Sequence, residues 1–327
     1  MRFGLLPPQW DRYWDETLEF TLLAEEMGYD SVWMFEHHGI RECYASPLLA
    51  LAALAARTRR VRLGTCVLLL PLSHPVHVAE DASLLDVMSG GRLILGVGLG
   101  SSPVEYGHLG VSLRERASRM AEGIQVLKRL WTEEDVTHRG WHYAFEGLTV
   151  HPRPVQRPHP PLWVGAWAEA GIRRAARLAD AWFPGPSAPL SYLRVGRRIY
   201  NEEKAGKQAG ERPLAREVFC TESASLAREV WEFTTRWYVE KYFAWGHLAR
   251  KELDAPRRPD GQVDEGRVGV DRFIVGDPRK VIDEVERYRE ALDLTHLVCR
   301  MHFPGMDADL TRESARRFAE KVIPHFR

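Results

Sequence analysis

Three ionisable residues in a row, Glu36, His37 and His38, follow the apolar run Ser31-Val32-Trp33-Met34-Phe35 without a gap. A carboxylate beside two imidazoles can hold, give or accept a proton near neutral pH. The apolar run reads as a buried strand, and packing does not call for three ionisable groups at its end. In a parallel sheet or barrel, the C-terminal end of a strand is where chemistry is placed. Neighbours on a strand point to opposite faces, so one histidine is expected at the barrel mouth and the other against the helix layer. The competing reading is a pair of satisfied polar residues at a strand end.

Other stretches could serve a ligand. Val61 to Pro71 is long for one strand, and Gly64 interrupts it, as glycine does at a bulge or a close approach. Gly96-Val97-Gly98-Leu99-Gly100 lacks the dinucleotide-loop spacing, but small residues there let a flat ligand near the backbone. Gly165-Ala166-Trp167-Ala168-Glu169 joins a strand to a helix whose first N–H groups could hold a phosphate, with Arg173 and Arg174 one turn on. A plain strand-helix turn explains the same residues. The remaining histidines form no metal spacing, and there is no nucleophile elbow or phosphate-binding P-loop.

The elements that must position these residues are regular in the first third of the chain. Strand-like runs begin near Arg2, Ser31, Val61 and Leu93, about one strand-helix unit apart. Between them, Asp15 to Met27, Ser46-Pro47 onward and His74-Pro75 onward carry apolar stripes and helix-start signals. Later strands are expected at Pro160–Gly165, Asp180–Phe183, Arg216–Thr221 and Thr295–Met301. Two anomalies interrupt the alternation: His138 to Pro161, and Glu222 to Arg272, half aromatic and helical and half polar loop. The expected fold is α/β, a (β/α)8 TIM barrel with insertions after strands four and seven, in one domain spanning residues 1–327. Trp10 and Trp14 then follow strand one, and Arg300 and His302 lie at the mouth end of strand eight.

Composition removes some functions. The 327 residues hold 45 Lys+Arg and 45 Asp+Glu, so no basic footprint for nucleic acid exists. Four scattered cysteines form no CxxC, which suits reduced thiols in the cytoplasm. The chain enters Arg2-Phe3-Gly4 with no charged-then-apolar leader, and no apolar run approaches the ~20 residues of a membrane helix. A cytoplasmic protein without bound metal is the expectation.

The ordered set Arg2-Phe3-Gly4, Glu36-His37-His38, Gly64-Thr65, Pro71, His74-Pro75, Glu80-Asp81, Leu85-Asp86, Met88-Ser89 and Gly91-Arg92 resembles the bacterial luciferase-like flavin monooxygenases. Later echoes are Leu162 to Trp182, Gly276-Asp277-Pro278 and Val322-Ile323-Pro324-His325-Phe326. The resemblance implies a TIM barrel that binds reduced FMN at its mouth, supplied by a separate flavin reductase. There the flavin meets O2, forms a hydroperoxide and oxidises a small organic substrate. It implies a homodimer. His37 matches the active-site histidine, with Glu36 or His38 orienting it. Thr65, Cys66 and Val67 match the place where strand three breaks with a non-proline cis peptide under the flavin.

Two departures qualify that picture. The luciferase α chain has a Cys and an Arg after strand four, where this chain has Gly98 and Leu99. The acidic and hydroxyl residues that hold the phosphate after strand five are replaced by Trp167 and Ala168. A backbone-held phosphate at Gly165, Ala166, Trp167 and Ala168, helped by Arg173 or Arg174, is the substitute expectation. Trp10, Trp14, Arg300, His302 and the second insertion would shape the substrate pocket. A deazaflavin-dependent hydride-transfer oxidoreductase of the same barrel is the alternative, and a non-catalytic flavin-binding partner subunit a third.

Overall fold

The computed structural model describes residues 1–9, 14–41, 43–204, 210–244, 256–303 and 305–327. Its first third is a strand-helix repeat: β1 (Arg2–Leu6), α1 (Trp14–Glu26), β2 (Ser31–Met34), α2 (Pro47–Ala55), β3 (Arg62–Thr65), α3 (Pro75–Ser89) and β4 (Leu93–Val97). Then come α4 (Pro103–His108), α5 (Arg116–Thr132) and an antiparallel hairpin of β5 (Val136–Arg139) and β6 (Ala144–Leu148). The repeat resumes with β7 (Leu162–Val164), α6 (Glu169–Leu178), β8 (Ala181–Trp182), α7 (Leu190–Lys204) and β9 (Pro213–Cys220). The chain ends through α8 (Ala224–Ala244), α9 (Glu265–Val268), β10 (Phe273–Gly276), α10 (Pro278–Leu292), β11 (His296–Arg300) and α11 (Ala308–Lys321).

Proline at the first helical turn opens α2, α3, α4 and α10, where its missing N–H costs nothing. Ser102 and Asp277 cap two of these by accepting backbone N–H groups, from Glu105 at 3.3 Å and Lys280 at 3.0 Å. Gly90 ends α3 at φ +68°, a conformation that glycine adopts freely.

Among the described residues, nine strands form one sheet in the order β10-β9-β11-β1-β2-β3-β4-β7-β8, all parallel. The Ala215 N–H donates to Pro184 O at 3.3 Å, linking β9 to the residues just past β8, so the sheet curls back on itself. This is an α/β fold with a curled parallel sheet, as the expected barrel requires, with one strand more than expected. The addition, β10, hydrogen-bonds to the C-terminal half of β9. Its Phe273-Ile274-Val275 run is strand-forming but short, and it lies at the end of the second insertion, which hid it from the strand-helix spacing.

Alternation along the strands makes two cores. The outer face packs against the helices. The inner face packs on itself through Leu6, Trp33, Ile94, Trp163, Phe183 and Val298, with Phe35, Cys66 and Val67 partly exposed at its upper edge. Trp33 is its centre: it stacks on Trp163 at 5.1 Å, tilts against Phe183 at 5.2 Å, and donates to Ser31 Oγ at 2.7 Å. Its room comes from glycines on both neighbouring strands. A Cβ on Gly4 would meet the indole at 2.4 Å, and one on Gly64 at 2.2 Å. The interruption at Gly64 is thus space for a tryptophan.

Gly64→Ala should therefore overpack the barrel and cost about 1–3 kcal/mol. Gly107→Ala, where a Cβ meets nothing within 4 Å, should be neutral or gain a few tenths, roughly as helix propensity gives. Melting temperatures of the two variants check this, and equal values would contradict it.

Candidate active site

The mouth of the curled sheet is fastened by side chains that reach from one strand end to the next. Gln9, buried past β1, exchanges two bonds with the Phe35 backbone: Phe35 N–H to Oε1 at 3.0 Å, and Nε2 to Phe35 O at 3.2 Å. Glu36, 4% exposed, accepts the Leu69 N–H at 2.9 Å on Oε2 and the His38 Nε2 proton at 2.9 Å on Oε1. Glu105, 3% exposed, stands in the first turn of α4. Its Oε1 accepts His37 Nδ1–H at 3.0 Å and the His38 N–H at 2.8 Å. Two buried carboxylates therefore join the ends of β2, β3 and β4.

The electrostatics follow from these contacts. Burial alone would push Glu105 up; the His37 hydrogen bond and charge, with the His38 N–H, outweigh it and hold the carboxyl below its usual range. His38 is raised by its hydrogen bond to Glu36, against burial, with the charges of Glu36 and Glu105 adding to the rise. Because a carboxylate holds His37 Nδ1–H, proton chemistry at this ring falls to Nε2.

The two histidines do not divide between mouth and helix layer. β2 ends at Met34, so strand alternation no longer governs residues 36–38. Both rings are partly exposed, His37 at 27% and His38 at 21%. Nor do Glu36 or His38 orient His37; Glu105 does, from 68 residues away. The sequence signal for it was Ser102-Pro103-Val104-Glu105, a helix start directly after a strand and a glycine-rich turn.

Cys66, Val67, Gly98 and Gly165 lie together at the mouth. The Cys66–Val67 peptide bond is cis. Val67 lies against Gly98 and Gly165, where an added Cβ would come within 2.4 Å and 3.2 Å of its methyls. The thiol of Cys66 is pushed up to about 12 by burial, a neutral group. Thr65 turns away, giving its hydroxyl proton to Gly96 O at 2.6 Å. Phe35, Cys66, Val67 and the glycines thus make a flat, uncharged floor that suits an aromatic ring system.

The expected phosphate end is arranged differently. Arg173 is held by Glu169 at 2.7 Å and Glu203 at 2.9 Å, so its charge is already matched. The Ala166 and Trp167 carbonyls accept from Trp182 Nε1 and Tyr192 OH. Ala168 is the N-cap of α6 and offers no side-chain cap.

Among the substrate candidates, Trp14 packs beside Tyr44, with ring centroids 6.1 Å apart. Trp10 and residues 245–255 of the second insertion lie outside the described residues. His302 is buried, shares a 3.2 Å hydrogen bond with Thr311 of α11, and is lowered to about 4 by burial and then by Arg300. It is a neutral packing residue that turns toward α11, not the mouth group expected. Arg300 is at the mouth, over the rings of Trp237 at 4.4 Å, Phe303 at 4.7 Å and Phe35 at 5.6 Å. Among the described residues no group of His, Cys, Asp and Glu could hold a metal ion, and no helix is long and apolar enough to cross a membrane.

Comparison with known proteins places this geometry. Residues 3–295 match the family described as Luciferase-like monooxygenase. The oxygenase component of a flavin-dependent trigonelline monooxygenase from Acinetobacter baylyi is 36% identical over 156 residues, 47% of this chain but only 43% of that protein. An F420-dependent glucose-6-phosphate dehydrogenase from Microbacterium testaceum is 31% identical over 326 residues, 96% of this chain and 94% of that one. The crystal structure of monooxygenase RslO1 from Streptomyces bottropensis superposes with a TM-score of 0.83 at 28% identity, covering 100% of both chains. A match across nearly the whole barrel, with the mouth it builds, has one reading: the chain belongs to the luciferase-like monooxygenase family.

Proposed function

We propose that the protein is a flavin-dependent monooxygenase that uses reduced FMN and O2 to oxidise a small organic substrate. The observation that carries this is His37, held through Nδ1 by the buried Glu105 at the open mouth beside the uncharged Cys66–Val67 floor. Whole-chain likeness to a monooxygenase supports the same choice. The floor fits a flat ring: Phe35, Cys66, Val67, Gly98 and Gly165 would hold it, and the first turn of α6 would take its phosphate through backbone N–H groups. When bound, the cofactor supplies the two-electron chemistry with oxygen. The chain's part is to orient substrate, exclude water and move a proton at His37 Nε2. A separate reductase and a homodimer fit this reading.

The whole-chain alignment to an F420-dependent dehydrogenase favours a second reading, deazaflavin-linked hydride transfer. Oxygen separates the two. Reduced FMN and reduced deazaflavin, offered separately with and without O2, should give binding and oxygen uptake with FMN alone. Anaerobic turnover with deazaflavin would overturn the monooxygenase.

Two further outcomes are expected. His37→Ala should keep cofactor binding but lose roughly 10²–10⁴ of turnover, the usual share of one acid-base group; Glu105→Gln should fall between it and the wild type. Full turnover by His37→Ala would remove its assignment. The His38–Glu36 pair should also mark stability. A folded value raised above 6.5 makes that contribution complete below 6.5 and lost as pH rises through the raised value. The melting temperature should fall over that alkaline window, and His38→Gln should flatten the fall. An unchanged slope would contradict the pairing.

A further inference from the structure

The uppermost inward layer of the barrel holds two ionisable side chains that the proposed chemistry does not use. Glu217 of β9 and Arg300 of β11 are register partners in adjacent parallel strands, so their side chains leave the same face of the sheet. Their neighbours two residues back, Ala215 and Val298, belong to the inner core, which places both residues on the inward face. Arg216, between, points outward and lies over Tyr288 of α10 at 4.9 Å.

Arg300 is only half-buried, yet among the described residues it makes no ion pair and no hydrogen bond. Its contacts are the three rings of Trp237, Phe303 and Phe35. Stacking on rings occupies the face of a guanidinium, whereas its N–H donors lie in its plane and stay available for a planar anion. The carboxyl of its register partner does not answer that charge. Glu217 is fully buried and neither of its oxygens has a hydrogen-bond partner. Burial pushes it toward the neutral acid, against the pull of Arg300 and Arg216. His302, also close to Arg300, is neutral as well. Among the described residues, the charge of Arg300 therefore has no ion-pair partner, and it lies close enough to Cys66 to act on its thiol, beside a buried acid without a hydrogen bond.

We propose that Arg300 recognises the carboxylate of a planar organic acid, its guanidinium fork binding both oxygens while Trp237, Phe303 and Phe35 flank the acid's apolar body. This names a substrate class for the function proposed above and rests on that reading, since the acid would lie against the floor where the cofactor ring is placed. Bidentate pairing with carboxylate is the geometry in which arginine is strongest. Glu217, buried and pushed toward its neutral form, makes no ion pair with the arginine among the described residues.

The main titration needs neither flavin nor oxygen, so it can fail independently of the monooxygenase assignment; a second titration with reduced FMN is the control. Benzoate and its uncharged counterpart benzamide are titrated against the full chain and binding is read by calorimetry, for the wild type, Arg300→Met and Arg300→Lys. The wild type should prefer benzoate by roughly tenfold or more, as a charge-assisted fork contributes. Arg300→Met should erase the preference, and Arg300→Lys, which keeps charge but loses the fork, should restore part of it. Circular dichroism confirms that each variant is folded. Equal affinities in the wild type, no benzoate binding, or a preference that survives in Arg300→Met would overturn the proposal. So would a loss of reduced-FMN affinity in Arg300→Met as large as the loss for benzoate, because the arginine would then serve the cofactor ring.

Discussion

The mouth of this barrel depends on two carboxylates taken out of water. An ionised carboxylate is costly to bury unless every lone pair finds a donor. Glu36 and Glu105 each take two donors from elsewhere in the chain: the Leu69 N–H and the His38 imidazole for Glu36, the His38 N–H and the His37 imidazole for Glu105. The constraint works in both directions. The acids are tolerated because the loops converge on them, and the loops hold their course because the acids would be unsatisfied otherwise. Removing either acid would free a strand end as well as a histidine.

Beneath the mouth, the barrel solves a space problem with one large residue and several absent side chains. Trp33 fills the inner core that β1, β3 and β7 surround, and Gly4 and Gly64 make its room. At the next layer up the same device is used with a different result. Gly98 and Gly165 admit Val67 so closely that the end of β3 is fixed against β4 and β7. The flat floor is therefore a product of packing, and the ionisable groups stand around it and not in it. Among the described residues His37 is held by a buried acid, whereas Arg300 at the same mouth lies over aromatic rings without an ion pair.

Much of this was legible in the sequence. Strand-helix spacing, proline-led helix starts and the Glu36-His37-His38 triplet at a strand end were local patterns, and local patterns survive into the fold. The cis bond at Cys66–Val67 came from family likeness and not from any residue preference. The identity of the residue that holds His37 was not legible. Glu36 and His38 were its neighbours in the chain, but a turn of backbone past Met34 carried both elsewhere, and Glu105 arrived through the tertiary contact of α4. His302 failed for a related reason: position on a strand end gave the layer but not the direction, and Thr311 drew it outward. Arg173 was read as free because sequence shows a helix face and not the acid of a second helix, Glu203 of α7, that meets it.

The central claim is that Glu105 holds the Nδ1 proton of His37 and leaves Nε2 for chemistry. Nitrogen chemical shifts of the imidazole in protein labelled at histidine report the tautomer directly, with Glu105→Gln as the comparison. The account expects the neutral ring of His37 to carry its proton on Nδ1, and that preference to weaken in Glu105→Gln. A neutral ring protonated on Nε2, unchanged by the substitution, would contradict it.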